Sequence, residues 1–222
     1  RSLSSLLLTL TSYFLIFKSF SDTLRMLLKN NLIGIIACGG NSDRMGTDKS
    51  LLVYHDKPQR YYLCDILRES CNSVYISCNK EQVKQMLSGY QYIIDEPAFN
   101  NAGPLTACLS AFKQFPGRDI LLIACDYPYL TGDEIRRFID FFAGKNKPAA
   151  FYNLVEKVFV PVLGYYPAGS EADMLNWKED SRYSLKQLLK DADGLKYVPK
   201  DLRSLISFDT PTQFKSFNIL KH

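Results

Sequence analysis

An apolar run, L-I-G-I-I-A at residues 32–37, passes without interruption into C-G-G-N-S-D-R-M-G-T-D-K-S-L-L at residues 38–52. No other stretch so constrains the chain, because a strand that ends in a glycine-rich loop bearing cations is built to meet phosphate. Gly39, Gly40 and Gly46 leave backbone N–H groups free to turn toward phosphate oxygens, and Arg44 and Lys49 supply the charge that peptide dipoles alone do not. Spacing excludes two familiar phosphate loops. The Walker pattern needs its lysine directly after the last glycine, and the dinucleotide fingerprint needs G-x-G-x-x-G; neither occurs here.

With 222 residues, 46% hydrophobic and 23% charged, the chain is long enough to bury one substantial core. A net charge of +4 suits an anionic ligand. Lysines and arginines are scattered and form no stripe, which speaks against nucleic acid as a partner. Six cysteines contain no C-x-x-C pair, so the expectation is a reducing, cytoplasmic setting with thiols packed as small hydrophobes and no cysteine metal site. His55 and His222 are the only histidines, which leaves little for a histidine metal centre or triad. His55 is expected on a surface turn.

Residues 1–31 read as an N-terminal extension, possibly non-native or upstream sequence, and 32–222 as one domain. The extension holds a short Ser/Thr-rich apolar core behind Arg1, too short for a membrane span and without a clean small-residue cleavage site. A membrane is therefore not an expected partner, and Met26 is the expected natural start.

Strands and helices alternate beyond the loop, the pattern of a mostly parallel sheet covered on both faces. Strands are expected at 32–37, 74–78, 92–94, 119–124, 149–154 and 158–166. Helices are expected near 58–69, 80–87, 103–115, 131–142, 169–177 and 184–189, with a last one from Thr210-Pro211. Thr131 with Glu134 three residues on forms a capping-box signal, and Thr210 before Pro211 gives an N-cap with proline in the first turn.

In such sheets ligands bind at the carboxyl ends of strands. Asp126 follows the most apolar strand, where an ionised carboxylate is costly unless a cation or strong donors meet it. It is a candidate Mg2+ ligand, and by itself fits a turn-capping role equally. Asp95 after Ile93-Ile94, and Ser77 or Asn79 after the second strand, are further strand-end candidates. Each also fits an ordinary turn or strand terminus.

The loop at 39–52 resembles the signature of the MobA-type molybdenum cofactor guanylyltransferases, within the α/β nucleotidyltransferases. The resemblance runs from about Leu32 to Phe217. I-A-C-D-Y-P-Y-L at 123–130 is similar to the family's C-D-x-P-x-L segment, and Gly103-Pro104-Leu105 to its G-P-L helix opening. The resemblance implies a Rossmann-like three-layer α/β/α fold and transfer of GMP from GTP to the phosphate of molybdopterin or molybdenum-molybdopterin, releasing pyrophosphate with Mg2+ as cofactor. It further implies catalytic roles for Arg44, Lys49 and Asp126, with nucleotide contacts from Ala37, Cys38, Gly39, Gly40, Lys49, Ser77 or Asn79, Asp95 and Asp126. Other proteins of the cofactor pathway and apo-molybdoenzymes are implied partners.

Departures accompany the match. Ser207 and Asp209 replace both asparagines of the family's closing N-x-N-T-P segment, which makes Asp209 either a second metal ligand facing Asp126 or a helix cap. Asp56 stands where the family has glycine before Lys57-Pro58. Arg182 and Lys186 lie in a stretch resembling a family R-S-L segment near the pterin, and also fit a solvated helix face. Asp209 leans toward cytidylyl or sugar-phosphate nucleotidyl transfer, whereas Thr47-Asp48-Lys49 favours guanylyl. A non-catalytic GTP-binding partner protein would bind GTP without releasing pyrophosphate. A chain starting at Met26 is expected to fold with full activity, as measured by expression and turnover; insoluble or inactive protein would show that residues 1–25 are needed.

Overall fold

The computed structural model describes Thr23 and residues 29–38, 48–99, 102–180 and 182–219. Seven strands form its sheet: β1 (Leu32–Ala37), β2 (Ser73–Cys78), β3 (Gln91–Ile94), β4 (Asp119–Ala124), β5 (Ala149–Asn153), β6 (Val158–Tyr166) and β7 (Leu195–Tyr197). Their order is β3-β2-β1-β4-β6-β5-β7. β1 is parallel to β2 and β4, and β2 to β3; β6 runs antiparallel to β4 and β5, and β7 parallel to β5. This is the three-layer, mostly parallel arrangement expected from the alternation of strands and helices.

Burial explains why β1 and β4 are continuously apolar. In both, alternate side chains enter opposite layers, Leu32, Ile36, Leu121 and Ile123 on one face and Ile33, Ile35, Ile120 and Leu122 on the other. No position of either strand core meets water, so no polar alternation survives. The first face is covered by α1 (Gln59–Arg68), α2 (Lys80–Val83) and α4 (Gly132–Phe142), the second by α3 (Pro104–Gln114), α5 (Ser170–Glu179) and α6 (Leu185–Asp191).

A smaller aromatic cluster closes the carboxyl edge. Tyr54, Phe208 and Phe217 are buried together, with Tyr54 edge-on to Phe208, Phe214 and Phe217 at centroid separations of 5.7, 5.2 and 5.3 Å. These contacts seat α7 (Pro211–Ile219) beside the ends of the strands.

Three expectations need adjustment. α2 is one turn long because its sequence turns at Lys84 and Gln85. β7 is a three-residue strand, too short to show periodicity. His55 is not on an open turn: half-buried, it stacks on Tyr62 at 3.9 Å and bonds the carbonyl of Pro128 at 3.0 Å. Elsewhere the punctuation acts as expected. Gly103 caps α3 at φ +57°, a region that favours glycine, directly before Pro104. All six cysteines are buried free thiols. Among the described residues no helix is long and apolar enough to cross a membrane.

Phe138 is fully buried between Phe142, Phe151 and Tyr197. Phe138→Ala is expected to cost about 3–5 kcal/mol in urea unfolding, while Val155→Ala, at a hairpin tip 84% exposed, stays within about 0.5 kcal/mol.

Candidate active site

The backbone ladder continues past the strand ends and aligns the candidate residues. Cys38 N–H donates to Ser77 O at 3.0 Å, Cys125 N–H to Ala37 O at 3.2 Å, and Asp95 N–H to Cys78 O at 2.9 Å. Ala37, Cys38, Ser77, Asp95 and Asp126 therefore lie along one edge, where the parallel strands β3, β2, β1 and β4 deliver their carboxyl ends. Gly39, Gly40, Arg44 and Gly46 fall outside the described residues.

Asp126 occupies the turn after β4. Its Oδ1 is buried and, among the described residues, meets no hydrogen-bond donor. Burial lifts its carboxyl well above the usual range, to about 6; a hydrogen bond from its own backbone N–H opposes that rise, Asp209 adds to it, and Lys49 opposes it. A carboxylate so placed keeps its charge only at a cost, which a cation would offset.

The closing segment docks on this turn. Phe208 N–H donates to Asp126 O at 2.8 Å, and the Ser207 hydroxyl bonds that of Tyr127. Asp209 is thereby carried to Lys49, whose Nζ donates to Asp209 Oδ1 at 2.6 Å, with the lysine 19% and the aspartate 49% exposed. Thr210 caps α7, its Oγ1 accepting from Gln213 N–H at 3.4 Å while Gln213 Oε1 accepts from Thr210 N–H at 2.9 Å. Tyr54 packs alongside, its hydroxyl pushed up first by burial and then by Cys125, Asp126 and Asp209.

Ser77 and Asp95 meet directly, the Ser77 hydroxyl donating to Asp95 Oδ1. Burial raises the Asp95 carboxyl and this bond lowers it. Asn79 stands next on the edge as the N-cap of α2, its Oδ1 accepting from Glu81 and Gln82 N–H at 3.0 and 2.9 Å. Of the two β2 candidates, Ser77 holds Asp95 and Asn79 faces outward, exposed.

Two other residues belong to this edge. Asp48 caps the 3-10 turn Lys49–Leu51 through Ser50 N–H at 2.9 Å. Gln82 bonds both Asp48 and Cys38. The Asn79-x-x-Gln82 spacing is a capping-box signal that a reading of the strand end alone overlooks. Arg182, by contrast, is exposed, pairing with Asp180 at 2.7 Å and lying over Trp177.

Among the described residues no three potential metal ligands cluster. Asp126 and Asp209 are neighbouring carboxylates, Asp209 adding to the rise of the Asp126 carboxyl. That donor set fits a hard divalent ion completed by water and phosphate oxygens.

A family model described as the MobA-like NTP transferase domain matches residues 34–196. A probable molybdenum cofactor guanylyltransferase of Synechococcus elongatus is 26% identical over 194 residues, covering 85% of this chain and 99% of that protein. The molybdenum cofactor biosynthesis bifunctional protein of Synechocystis is 26% identical over 189 residues, 84% of this chain; the match spans 54% of its length. Among solved structures, the molybdopterin-guanine dinucleotide biosynthesis protein A of Archaeoglobus fulgidus shares the fold with a TM-score of 0.67 at 16% identity, covering 86% of this chain and 98% of its own.

Because the folded Asp126 carboxyl titrates near 6 and the unfolded one near 3.8, the cost is absent below pH 4, grows as pH rises to 6, and persists above. Asp126→Asn without metal is expected to stabilise the fold at pH 8 by about 1–3 kcal/mol and at pH 4 by little. Urea melts at both pH values measure this.

Proposed function

The chain belongs to the MobA-like NTP transferase family, and on that premise we propose that this nucleotidyltransferase moves GMP from GTP to the phosphate of molybdopterin or molybdenum-molybdopterin. The products are the guanine dinucleotide cofactor and pyrophosphate. The observation that carries this reading is the buried Asp126 carboxylate, whose Oδ1 meets no donor among the described residues, beside the Lys49–Asp209 pair.

The attacking group is already an anionic phosphate, so no covalent enzyme intermediate and no general base are required. The protein's task is alignment, neutralisation and exclusion of water. Lys49 leaves Asp209 for the triphosphate, its ammonium meeting the charge that builds on the leaving pyrophosphate. Arg44 shares that role. Asp126 and Asp209 are the residues that would hold Mg2+, which would supply positive charge to neutralise phosphate oxygens. Asp126 must be ionised for this, so metal affinity climbs as pH rises through about 6. Asp95, oriented by Ser77, and the exposed amide of Asn79 form the nucleoside side of the site; the backbone of Ala37 and Cys38, with Gly39 and Gly40 that follow in sequence, contacts the nucleotide on this reading. GTP and the pterin phosphate are the partners on this reading, and apo-molybdoenzymes the recipients.

Pyrophosphate release with Mg2+ and molybdopterin, compared across GTP, CTP, ATP and UTP, tests the proposal. Release is expected with GTP alone and is expected to be abolished in Asp126→Ala. Lys49→Met should lower turnover by about a hundredfold or more, the scale of one lost charge-stabilising contact. Release with CTP would move the reading to cytidylyl transfer, the direction toward which Asp209 leans; tight GTP binding with no release would make the chain a non-catalytic partner.

A further inference from the structure

Gln82 makes three side-chain hydrogen bonds that join three segments of the site. Its Oε1 accepts from Asn79 N–H at 3.1 Å, closing the capping box of α2. Its Nε2 donates to Cys38 O at 3.1 Å and to Asp48 Oδ2 at 2.9 Å. Cys38 and Asp48 flank the glycine-rich segment in sequence, one at the end of β1 and the other immediately before Lys49. Asp48 spends its other oxygen on the N–H and hydroxyl of Ser50 at 2.9 and 2.7 Å, so the turn that begins with Lys49 is tied through one carboxylate to one amide. The amide is half-buried, which strengthens its bond to the charged acceptor.

We infer that Gln82 is a positioning residue that clasps Cys38 to Asp48 and couples the placement of Asn79 to that of Lys49. This rests on the nucleotidyl-transfer reading of the same edge. An unsupported Asp48 would leave Lys49 to find the triphosphate from several backbone arrangements, and the ordering would be charged against nucleotide binding. With the clasp in place, both are set before the nucleotide arrives. Gln82 touches neither substrate nor metal; it acts through Asp48.

Gln82→Glu separates the clasp from helix capping. A glutamate carboxylate still accepts from Asn79 N–H, as capping boxes commonly use. It has no donor for Cys38 O or Asp48, and it faces the Asp48 carboxylate with like charge. The variant is expected to remain folded with its KM for the acceptor unchanged, while KM for the nucleoside triphosphate rises and kcat/KM falls by about tenfold or more. Hydrogen exchange at the amides of Ser50, Leu51 and Leu52 should quicken, because each is bonded within the turn that Asp48 caps. Wild-type kinetics in the variant overturn the inference, even with faster exchange. Where the wild-type protein releases pyrophosphate from no nucleotide, the guanylyl reading fails by itself, and exchange then decides: faster exchange in the variant upholds the clasp and unchanged exchange overturns it.

Discussion

A carboxylate buried inside a protein is a standing cost, and here one sits at the end of the most apolar strand in the chain. Asp126 Oδ1 meets no donor among the described residues, and burial, with a smaller contribution from Asp209, lifts its carboxyl to about 6. The surroundings are arranged around that cost. β4 is buried on both faces between β1 and β6, which fixes the Asp126 turn. The closing segment then bonds that turn through Phe208 and delivers Asp209 to Lys49. The aromatic cluster of Tyr54, Phe208 and Phe217 keeps the segment in place. Remove the apolar strand or the aromatic clamp, and the two carboxylates and the lysine no longer share a site.

Two carboxylates and one ammonium lie close together, and the lysine pairs with one of them. On the proposed reading a triphosphate with a divalent cation would resolve that frustration, the lysine meeting phosphate and the carboxylates the metal. The same logic accounts for the pairing of Lys49 with Asp209, which were given different partners on sequence grounds. Among the described residues each is the other's ion-pair partner.

Legibility in the sequence followed the strength of the local signal. β1 and β4 were plain because strands buried on both faces carry unbroken apolar runs, and the α4 boundary was plain because Thr131 caps Glu134 N–H. The second half of that expected box is absent: the Glu134 carboxylate turns inward to Tyr197 and to Lys200 N–H, a tertiary partner no local pattern announces. The antiparallel placement of β6 between β4 and β5 was hidden as well, since strand order depends on long-range pairing. Within the site, Asp126 and Asp95 were visible as polar residues ending apolar runs. The Asn79-x-x-Gln82 capping spacing lies in the sequence but is overlooked when the strand end is read alone, and the amide's reach to Cys38 and Asp48 across 44 and 34 residues of chain exists only in the folded state. His55 misled for the same reason, its stacking on Tyr62 and its bond to Pro128 both requiring the fold.

The central claim is that the Asp126 carboxylate is the anchor for a divalent cation that arrives with nucleotide. Titration of Mn2+ into the protein with a non-hydrolysable GTP analogue at pH 8, followed by electron paramagnetic resonance, tests it most directly. The account predicts tight binding that requires the nucleotide, weakens as pH falls below about 6, and disappears in Asp126→Asn. Equal Mn2+ affinity in wild-type protein and that variant, or binding indifferent to pH across this range, would contradict it.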